Sequence, residues 1–209
     1  MNQIFGGIRM TWLKVIVFAI AAGAYTGAVM LIPALRNTSF QDIGIAFEWW
    51  VIFAVIVVVN CTKSWEAALK CFLFFLISQP MVYIVEMVFG GLSFEMAWYY
   101  YRAVWFKATL LTLPGGFIAY FCKKQNFWGS VVMALGNTIM AAMGYYYFTQ
   151  LTGHFPHHLL SMLVCLAGIF VMGLCIQKNT HGRIIAIAGP FVLVAVGLIG
   201  LSLLHIEIF

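Results

Sequence analysis

The sequence predicts an all-α polytopic membrane protein, in which residues 1–209 form a single domain built as a bundle of seven transmembrane helices. Hydrophobic residues make up 64% of the 209 residues and charged residues only 8%. So few polar side chains cannot cover the core of a soluble protein of this size. Apolar stretches also recur at the length of about 20 residues that a helix needs to cross a bilayer. The sequence lacks the strict alternation of membrane β-strands, so we expect every span to be helical.

The first three predicted spans cover residues 12–35, 45–60 and 67–90. The first contains the stretch GAYTG, whose glycines Gly23 and Gly27 favour close packing against another helix. The third contains charged residues, which is unusual inside a bilayer. Glu66 precedes Lys70 by four residues, and this spacing predicts an ion pair on one helix face.

The remaining predicted spans cover residues 103–122, 127–150, 157–177 and 184–205. The fourth contains Lys107 and ends before the basic pair Lys123 and Lys124. Spans 1 to 3 and spans 5 to 7 would run in the same direction, so the sequence allows two three-helix units joined by the fourth span. The third member of each unit contains a proline, Pro80 in one and Pro190 in the other.

The basic residues predict how the bundle is oriented. Cytoplasmic ends of spans carry an excess of lysine and arginine. A cytoplasmic N-terminus and an outside C-terminus place most of the 11 basic residues at or near cytoplasmic ends: Arg9, Lys14, Lys63, Lys70, Lys123, Lys124, Lys178 and Arg183. Only Arg36, Arg102 and Lys107 then lie toward the outside.

Charged residues gather at the predicted outer ends of the second, third and fourth spans. Glu48 begins the second span, Glu86 lies in the outer third of the third, and Lys107 lies one turn inside the fourth, below Arg102. A charge at membrane depth costs at least about 2.5 to 3.5 kcal/mol, so such groups should face the bundle interior. We expect Glu86 and Lys107 to pair there. The alternative is that Lys107 extends to the headgroups and Glu86 lies at the interface.

A second group of polar and helix-breaking residues lies near the middle of the third, fourth and fifth spans. Gln79 precedes Pro80, Thr112 precedes Pro114, and Asn137 follows a glycine. Interrupted helices at the centre of a bundle are typical of a transporter's substrate site. The alternative is a kinked packing interface, in which Gln79 and Asn137 form hydrogen bonds between helices.

Three histidines lie close together in the connection before the sixth span, in the stretch TGHFPHHLL. They are His154, His157 and His158. Imidazoles at this spacing are typical of a zinc or copper site, or of a sensor of acid pH. The alternative is a solvated loop in which a proline begins the next helix. No other cofactor is expected.

The leading hypothesis is a small transport protein, a carrier or channel-like protein, in a cell membrane such as a bacterial inner membrane or a plasma membrane. We expect an outward-facing polar cavity around Glu48, Glu86 and Lys107 that binds a small zwitterionic or amphiphilic solute or lipid. The other predicted binding residues are Arg102, Gln79, Thr112 and Asn137.

Two other hypotheses come from different classes. One is a non-transporting membrane subunit or sensor that docks a partner protein or a second copy of itself. The other is an intramembrane enzyme that uses the histidine loop and a buried carboxylate, although familiar enzyme motifs are missing from the sequence. The net charge of +5 does not indicate nucleic-acid binding, because the basic residues cluster only as the pair Lys123 and Lys124. The lipid bilayer is the expected surrounding.

Overall fold

The structure is a computed structural model of the chain. It describes residues 4–36, 38–154 and 158–203, with side chains for all of these except 43–45, 152–154, 201 and 203. The structure is 86% helix, and the described residues contain no strand. Its helices are α1 Trp12–Met30, α2 Ser39–Ile45, α3 Phe47–Val59, α4 Ser64–Gly90, α5 Phe94–Tyr100, α6 Phe106–Ala119, α7 Phe127–His154, α8 Leu159–Ile176 and α9 Thr180–Leu203.

Seven segments of the described chain are helical, long enough and apolar enough to cross a membrane. They are Trp12–Met30, Ser39–Val59, Ser64–Gly90, Phe94–Lys123, Phe127–Leu151, Leu159–Ile176 and Thr180–Gly200. The prediction of an all-α chain with seven such segments is confirmed. The first segment is shorter than predicted, because a separate 3₁₀ turn begins at Pro33. The fourth is longer, because it begins at Phe94 instead of residue 103.

Local capping explains the sharp connection between α4 and α5. Gly91 follows α4 with φ +72°, a left-handed conformation that glycine adopts without steric cost and that ends the helix. Two residues later the hydroxyl oxygen of Ser93 accepts a hydrogen bond from the backbone N–H of Met96 at 3.3 Å. This N-cap begins α5.

The prediction that three neighbouring helices are interrupted at their centres is wrong. Helix α4 continues through Pro80, α6 through Pro114, and α7 through Asn137. A proline removes one backbone hydrogen bond from a helix, but packing of the surrounding turns holds the rest of the helix in place.

The irregular backbone lies elsewhere in the described chain. Ala46 is extended, with φ −75° and ψ 150°, and separates α2 from α3 within the second segment. Residues Tyr101–Trp105 form a π-helical turn between α5 and α6. Both irregularities lie toward the same end of the bundle. We call this the carboxylate end, because it carries Asp42, Glu86 and His158, and we call the opposite end, with Lys70 and Lys123, the lysine end.

Helices α1 and α4 pack closely along their length, as the GAYTG stretch predicts. A Cβ atom added to Gly23 would lie 2.3 Å from the carbonyl oxygen of Ser78, and one added to Gly27 would lie 2.8 Å from that of Val82. No side chain fits at either position without moving the helices apart. The close packing that the sequence predicts at both glycines is therefore confirmed.

Helix α3 lies between two groups of helices. On one side Trp50 and Val57 pack with Phe74 of α4 and Val15 of α1. On the other side α3 contributes to a second cluster together with α7, α8 and α9, whose members include Val55, Met133, Met140, Ile169 and Met172. Because α3 contacts both groups, a shift of this helix would change the packing of both.

Candidate functional site

A mostly apolar cavity of about 340 Å³ lies among α3, α4 and α6, with one residue from α7. Its polar lining consists of Gln79, Thr109 and Thr112. Trp50 and Phe75 form part of the apolar wall. The full lining is Phe47, Trp50, Val51, Ala54, Val55, Val58, Cys71, Phe75, Gln79, Trp105, Ala108, Thr109, Leu111, Thr112, Gly115, Gly116, Ala119 and Gly136.

The three polar residues of this cavity differ in how they are satisfied. The Thr112 hydroxyl donates to the carbonyl oxygen of Thr109 at 2.6 Å. The hydroxyl of Thr109 itself is buried and has no hydrogen-bond partner among the described residues. Gln79 is 5% exposed. Thr109 was not predicted as a binding residue, because a threonine in an apolar helix commonly bonds back to its own backbone.

A smaller cavity of about 80 Å³ adjoins the first one. The two share the lining residues Trp50, Gln79 and Trp105. Glu86 lines the smaller cavity and is the only charged side chain in either lining as described. Together the two cavities offer an apolar space with a carboxylate at its edge.

The two basic residues expected at the cavity lie elsewhere. Lys107 and Arg102 are exposed and line neither cavity. The ion pairs within 4 Å among the described residues are Lys70 with Glu66 and His158 with Asp42, so the expected pair of Glu86 with Lys107 does not form. Lys107 is exposed on α6, so its ammonium is accessible from outside the bundle and needs no carboxylate partner. The predicted Glu66–Lys70 pair is confirmed, at 2.5 Å.

Glu48 is fully buried at the carboxylate end and lines neither of the two cavities. Its relative exposure is 0%. One carboxylate oxygen accepts a hydrogen bond from the Tyr147 hydroxyl of α7 at 2.9 Å, and the other has no partner among the described residues. Glu48 therefore lies apart from Gln79, Thr112 and Glu86, with which it was expected to form one site.

A chain of polar side chains leads from Glu48 toward the surface. The His158 ring stacks on the Tyr147 ring, with centroids 5.5 Å apart and an angle of 14° between the planes. His158 Nδ1 lies 2.8 Å from Asp42 Oδ2, and the Ser161 hydroxyl donates to the same oxygen at 2.5 Å. Asp42 and His158 are partly exposed, at 16% and 21% of their side-chain area.

Glu48 was predicted from the sequence as a site residue, whereas Tyr147, Asp42 and Ser161 were not. Tyr147 and Ser161 are distant from Glu48 along the chain, and Tyr147 belongs to a run of tyrosines that is typical of a membrane interface. The arrangement is also unlike a catalytic triad. Asp42 accepts from both neighbours, whereas a nucleophilic serine would bond to the imidazole itself.

Asn137 belongs to a helix interface and not to the cavity. Its side-chain N–H donates to the carbonyl oxygen of Ala186 in α9 at 2.9 Å, while its own oxygen is buried without a partner in the described chain. This matches the alternative reading, in which the residue joins two helices.

The predicted metal site falls largely outside the described residues. His157 and the side chain of His154 are not described, while Nδ1 of His158 contacts Asp42. Among the residues that were described, no three His, Cys, Asp or Glu side chains come together. Metal binding at the histidine loop stays a prediction.

A larger cavity, of about 760 Å³, lies at the lysine end. Its buried ammonium group, Lys70, donates to Glu66 and to the Met10 carbonyl oxygen, and Lys123 donates to the Cys61 carbonyl oxygen. Burial raises the pKa of the Cys61 thiol to about 11, so the thiol stays neutral near pH 7. These groups tie the chain before α1 to the helix ends, which favours a structural role.

No known protein family, curated protein or solved structure matches this chain, so a functional assignment rests on the geometry of these cavities and side chains.

Proposed function

We propose that the chain is an integral protein of the cell membrane that transports an amphiphilic solute or lipid. Its N-terminus would lie in the cytoplasm and its carboxylate end outside. The ligand would occupy the cavity among α3, α4 and α6, with its polar head at Gln79 and Glu86 in the adjoining smaller cavity.

The observation that carries this proposal is the pair of adjoining cavities. An apolar space with a few convergent polar groups is the usual form of a small-molecule site. Here the apolar lining suits a hydrocarbon chain, while Thr109 offers an unpaired hydroxyl and Glu86 a carboxylate. Because neither Lys107 nor Arg102 lines these cavities, a cationic head suits them better than a zwitterionic one.

The position of the cavity also favours an amphiphile. Phe47 and Leu111 line it and are 59% and 71% exposed on the outer surface of the bundle. In a membrane this surface faces lipid chains. A ligand with a hydrocarbon chain would therefore reach the site from within the bilayer, without crossing the polar end of the bundle.

The binding test uses a bromoalkylamine as the probe, with the protein in nanodiscs of unlabelled zwitterionic lipid. Bromine quenches tryptophan at short range, and Trp50 and Trp105 line both cavities. We expect saturable quenching in the natural protein. Glu86→Gln should weaken binding about tenfold or more, because a hydrogen bond to a charged group contributes about 1.5 to 3 kcal/mol.

Two matched pairs of variants sharpen this test. Gly115 lines the cavity and Gly197 does not, and a Cβ atom added at either position meets open space. Gly115→Leu should fill the cavity and abolish saturable quenching, whereas Gly197→Leu should leave it unchanged. The exposed Glu95 provides the control Glu95→Gln for Glu86→Gln. Quenching that does not saturate, or that Gly115→Leu leaves intact, would overturn the proposed site.

Uptake of the labelled amine into proteoliposomes then tests transport itself. Vesicles with the natural protein should take up the amine faster than protein-free vesicles, and Gly115→Leu should remove the difference. Saturable binding without faster uptake would leave a lipid-binding subunit, not a transporter.

A further inference from the structure

The buried carboxylate of Glu48 is unexplained by the proposed ligand site. It has no exposed area, it lines neither of the two cavities, and one of its oxygens has no partner among the described residues. An ionised carboxylate that is buried and half-satisfied is strongly unfavourable, whereas a carboxylic acid carries no net charge. The surroundings of Glu48 therefore favour binding of a proton.

No described cation neutralises this carboxylate. The titratable groups that interact with it are Tyr147 of α7, Asp42 of α2 and Cys165 of α8, all of which are neutral or acidic. Helix α4 also packs against α3, and its carboxylate Glu86 interacts electrostatically with Tyr83. On α6, Lys107 is exposed. The His158 ring lies beyond Tyr147, whose hydroxyl contacts Glu48.

A metal cation fits this position less well than a proton does. Hard cations such as Ca²⁺ and Mg²⁺ take six or more oxygen ligands. The position offers the Glu48 carboxylate and the Tyr147 hydroxyl, and the described residues contain no cluster of three metal-binding side chains.

The side chains between Glu48 and solvent lie at the carboxylate end. His158 and Asp42 are partly exposed and lie 2.8 Å apart. The His158 ring covers Tyr147, and the Tyr147 hydroxyl contacts Glu48. These groups separate Glu48 from solvent. Rows of acidic and histidine residues of this kind carry protons in membrane pumps and transporters.

We propose that Glu48 is a proton-binding site, loaded from the carboxylate end past His158, Asp42 and Tyr147, and that this proton drives the transport. One O–H bond forms on the Glu48 carboxylate with a proton taken from water, and it breaks when the proton returns. Proton binding stands by itself, whereas its coupling to transport rests on the function proposed above.

Helix α3 connects the two sites physically. Glu48 lies on its face toward α7, while its neighbours Phe47, Trp50 and Val51 line the ligand cavity. Gain or loss of a charge at Glu48 changes how strongly α7 and α8 interact with α3. A resulting shift of α3 would reshape the cavity wall to which these neighbours contribute.

Infrared difference spectroscopy in nanodiscs tests proton binding without any ligand. We expect the carbonyl band of a buried carboxylic acid that disappears as the pH is raised. Glu48→Gln should remove this band, and Glu86→Gln should keep it. Tyr147→Phe should shift the band to higher frequency, because it removes the hydrogen bond to the carboxyl group. The shift is a signature that a purely structural role would not produce.

Two results would overturn the proton site. One is a carbonyl band that is the same in the natural protein and Glu48→Gln. The other is the lack of any titrating band in the natural protein. If Glu48→Gln does not fold, Tyr147→Phe decides the question, because an unshifted band excludes Glu48 as its source.

Uptake of the labelled amine into proteoliposomes under an outward proton gradient tests the coupling, with protein-free vesicles measuring the passive trapping of the amine in an acidic interior. The natural protein should accumulate the amine above that passive level, and should also exchange internal for external amine without a gradient. Glu48→Gln should lose the excess accumulation and keep exchange. Excess accumulation retained in Glu48→Gln would overturn the coupling and leave the proposed function standing. Failure of both accumulation and exchange in the natural protein would instead refute the proposed function, while the infrared band would still test Glu48.

Discussion

At the scale of single residues, charge inside an apolar stretch was readable from the sequence, but its surroundings were not. Glu48, Glu86 and Lys107 stand out in apolar runs. Yet Glu48 is fully buried, while Lys107 is exposed. The helices are apolar on all sides, so periodicity cannot tell a face that meets protein from a face that meets lipid. A polar partner on a distant helix, such as Tyr147, leaves no local signal at all.

The Lys70 ammonium shows how a buried charge is held when its partners are complete. Its relative exposure is 2%, and it donates to Glu66 and to the Met10 carbonyl oxygen. We expect Glu66→Leu to lower the free energy of unfolding by roughly 3 kcal/mol, because it leaves a buried charge unpaired. Adding Lys70→Met to that variant should restore much of the loss.

Thermal or detergent-induced unfolding of the purified protein would measure these differences. The exposed residue Glu95 gives the control Glu95→Leu, which should change stability little. A double variant less stable than Glu66→Leu alone would contradict this prediction, since the apolar pair would then destabilise the protein more than the unpaired charge does.

At the scale of helices, the number and approximate limits of the apolar segments were predictable, whereas their irregularities were not. Prolines at 80 and 114 suggested breaks, but α4 and α6 run through both. The extended residue Ala46 and the π-helical turn Tyr101–Trp105 have no comparable signal in the sequence. Packing between helices decides whether a local breaker interrupts a helix, and packing depends on residues far apart along the chain.

The contact between α1 and α4 gives a prediction at this scale. Gly23→Ala places a Cβ atom against the carbonyl oxygen of Ser78, at 2.3 Å before any adjustment. We expect the helices to separate and the free energy of unfolding to fall by about 1 to 3 kcal/mol. Gly197→Ala is the matched control in α9, where the added atom meets open space and helix propensity improves by up to about 1 kcal/mol.

The comparison is read from paired unfolding curves of the two variants in the same detergent. If Gly23→Ala were as stable as the natural protein or more stable, α1 and α4 would pack less closely than the structure shows.

At the scale of the whole molecule, α3 lies between two groups of helices. In each half of the chain, a polar side chain after a helix holds backbone that precedes the first helix of that half. Asn60, after α3, donates to the carbonyl oxygen of Ile4 and accepts from the backbone N–H of Ile8. Gln177, after α8, donates to the carbonyl oxygens of Cys122 and Lys124. Both contacts lie at the lysine end, which fits units that run in the same direction.

The orientation of the bundle in the membrane decides from which side the proton and the ligand enter. Most of the 11 lysines and arginines belong to the lysine end, so the positive-inside rule predicts a cytoplasmic lysine end. His158 and Asp42 would then take protons from outside.

Labelling of single cysteines in intact cells tests this placement. In a background without native cysteines, Glu95→Cys lies at the carboxylate end and Lys124→Cys at the lysine end, and the structure exposes both positions. A membrane-impermeant maleimide should label Glu95→Cys in intact cells and Lys124→Cys only after the membrane is permeabilised. The reverse pattern would invert the orientation. Glu48 would then load its proton from the cytoplasm.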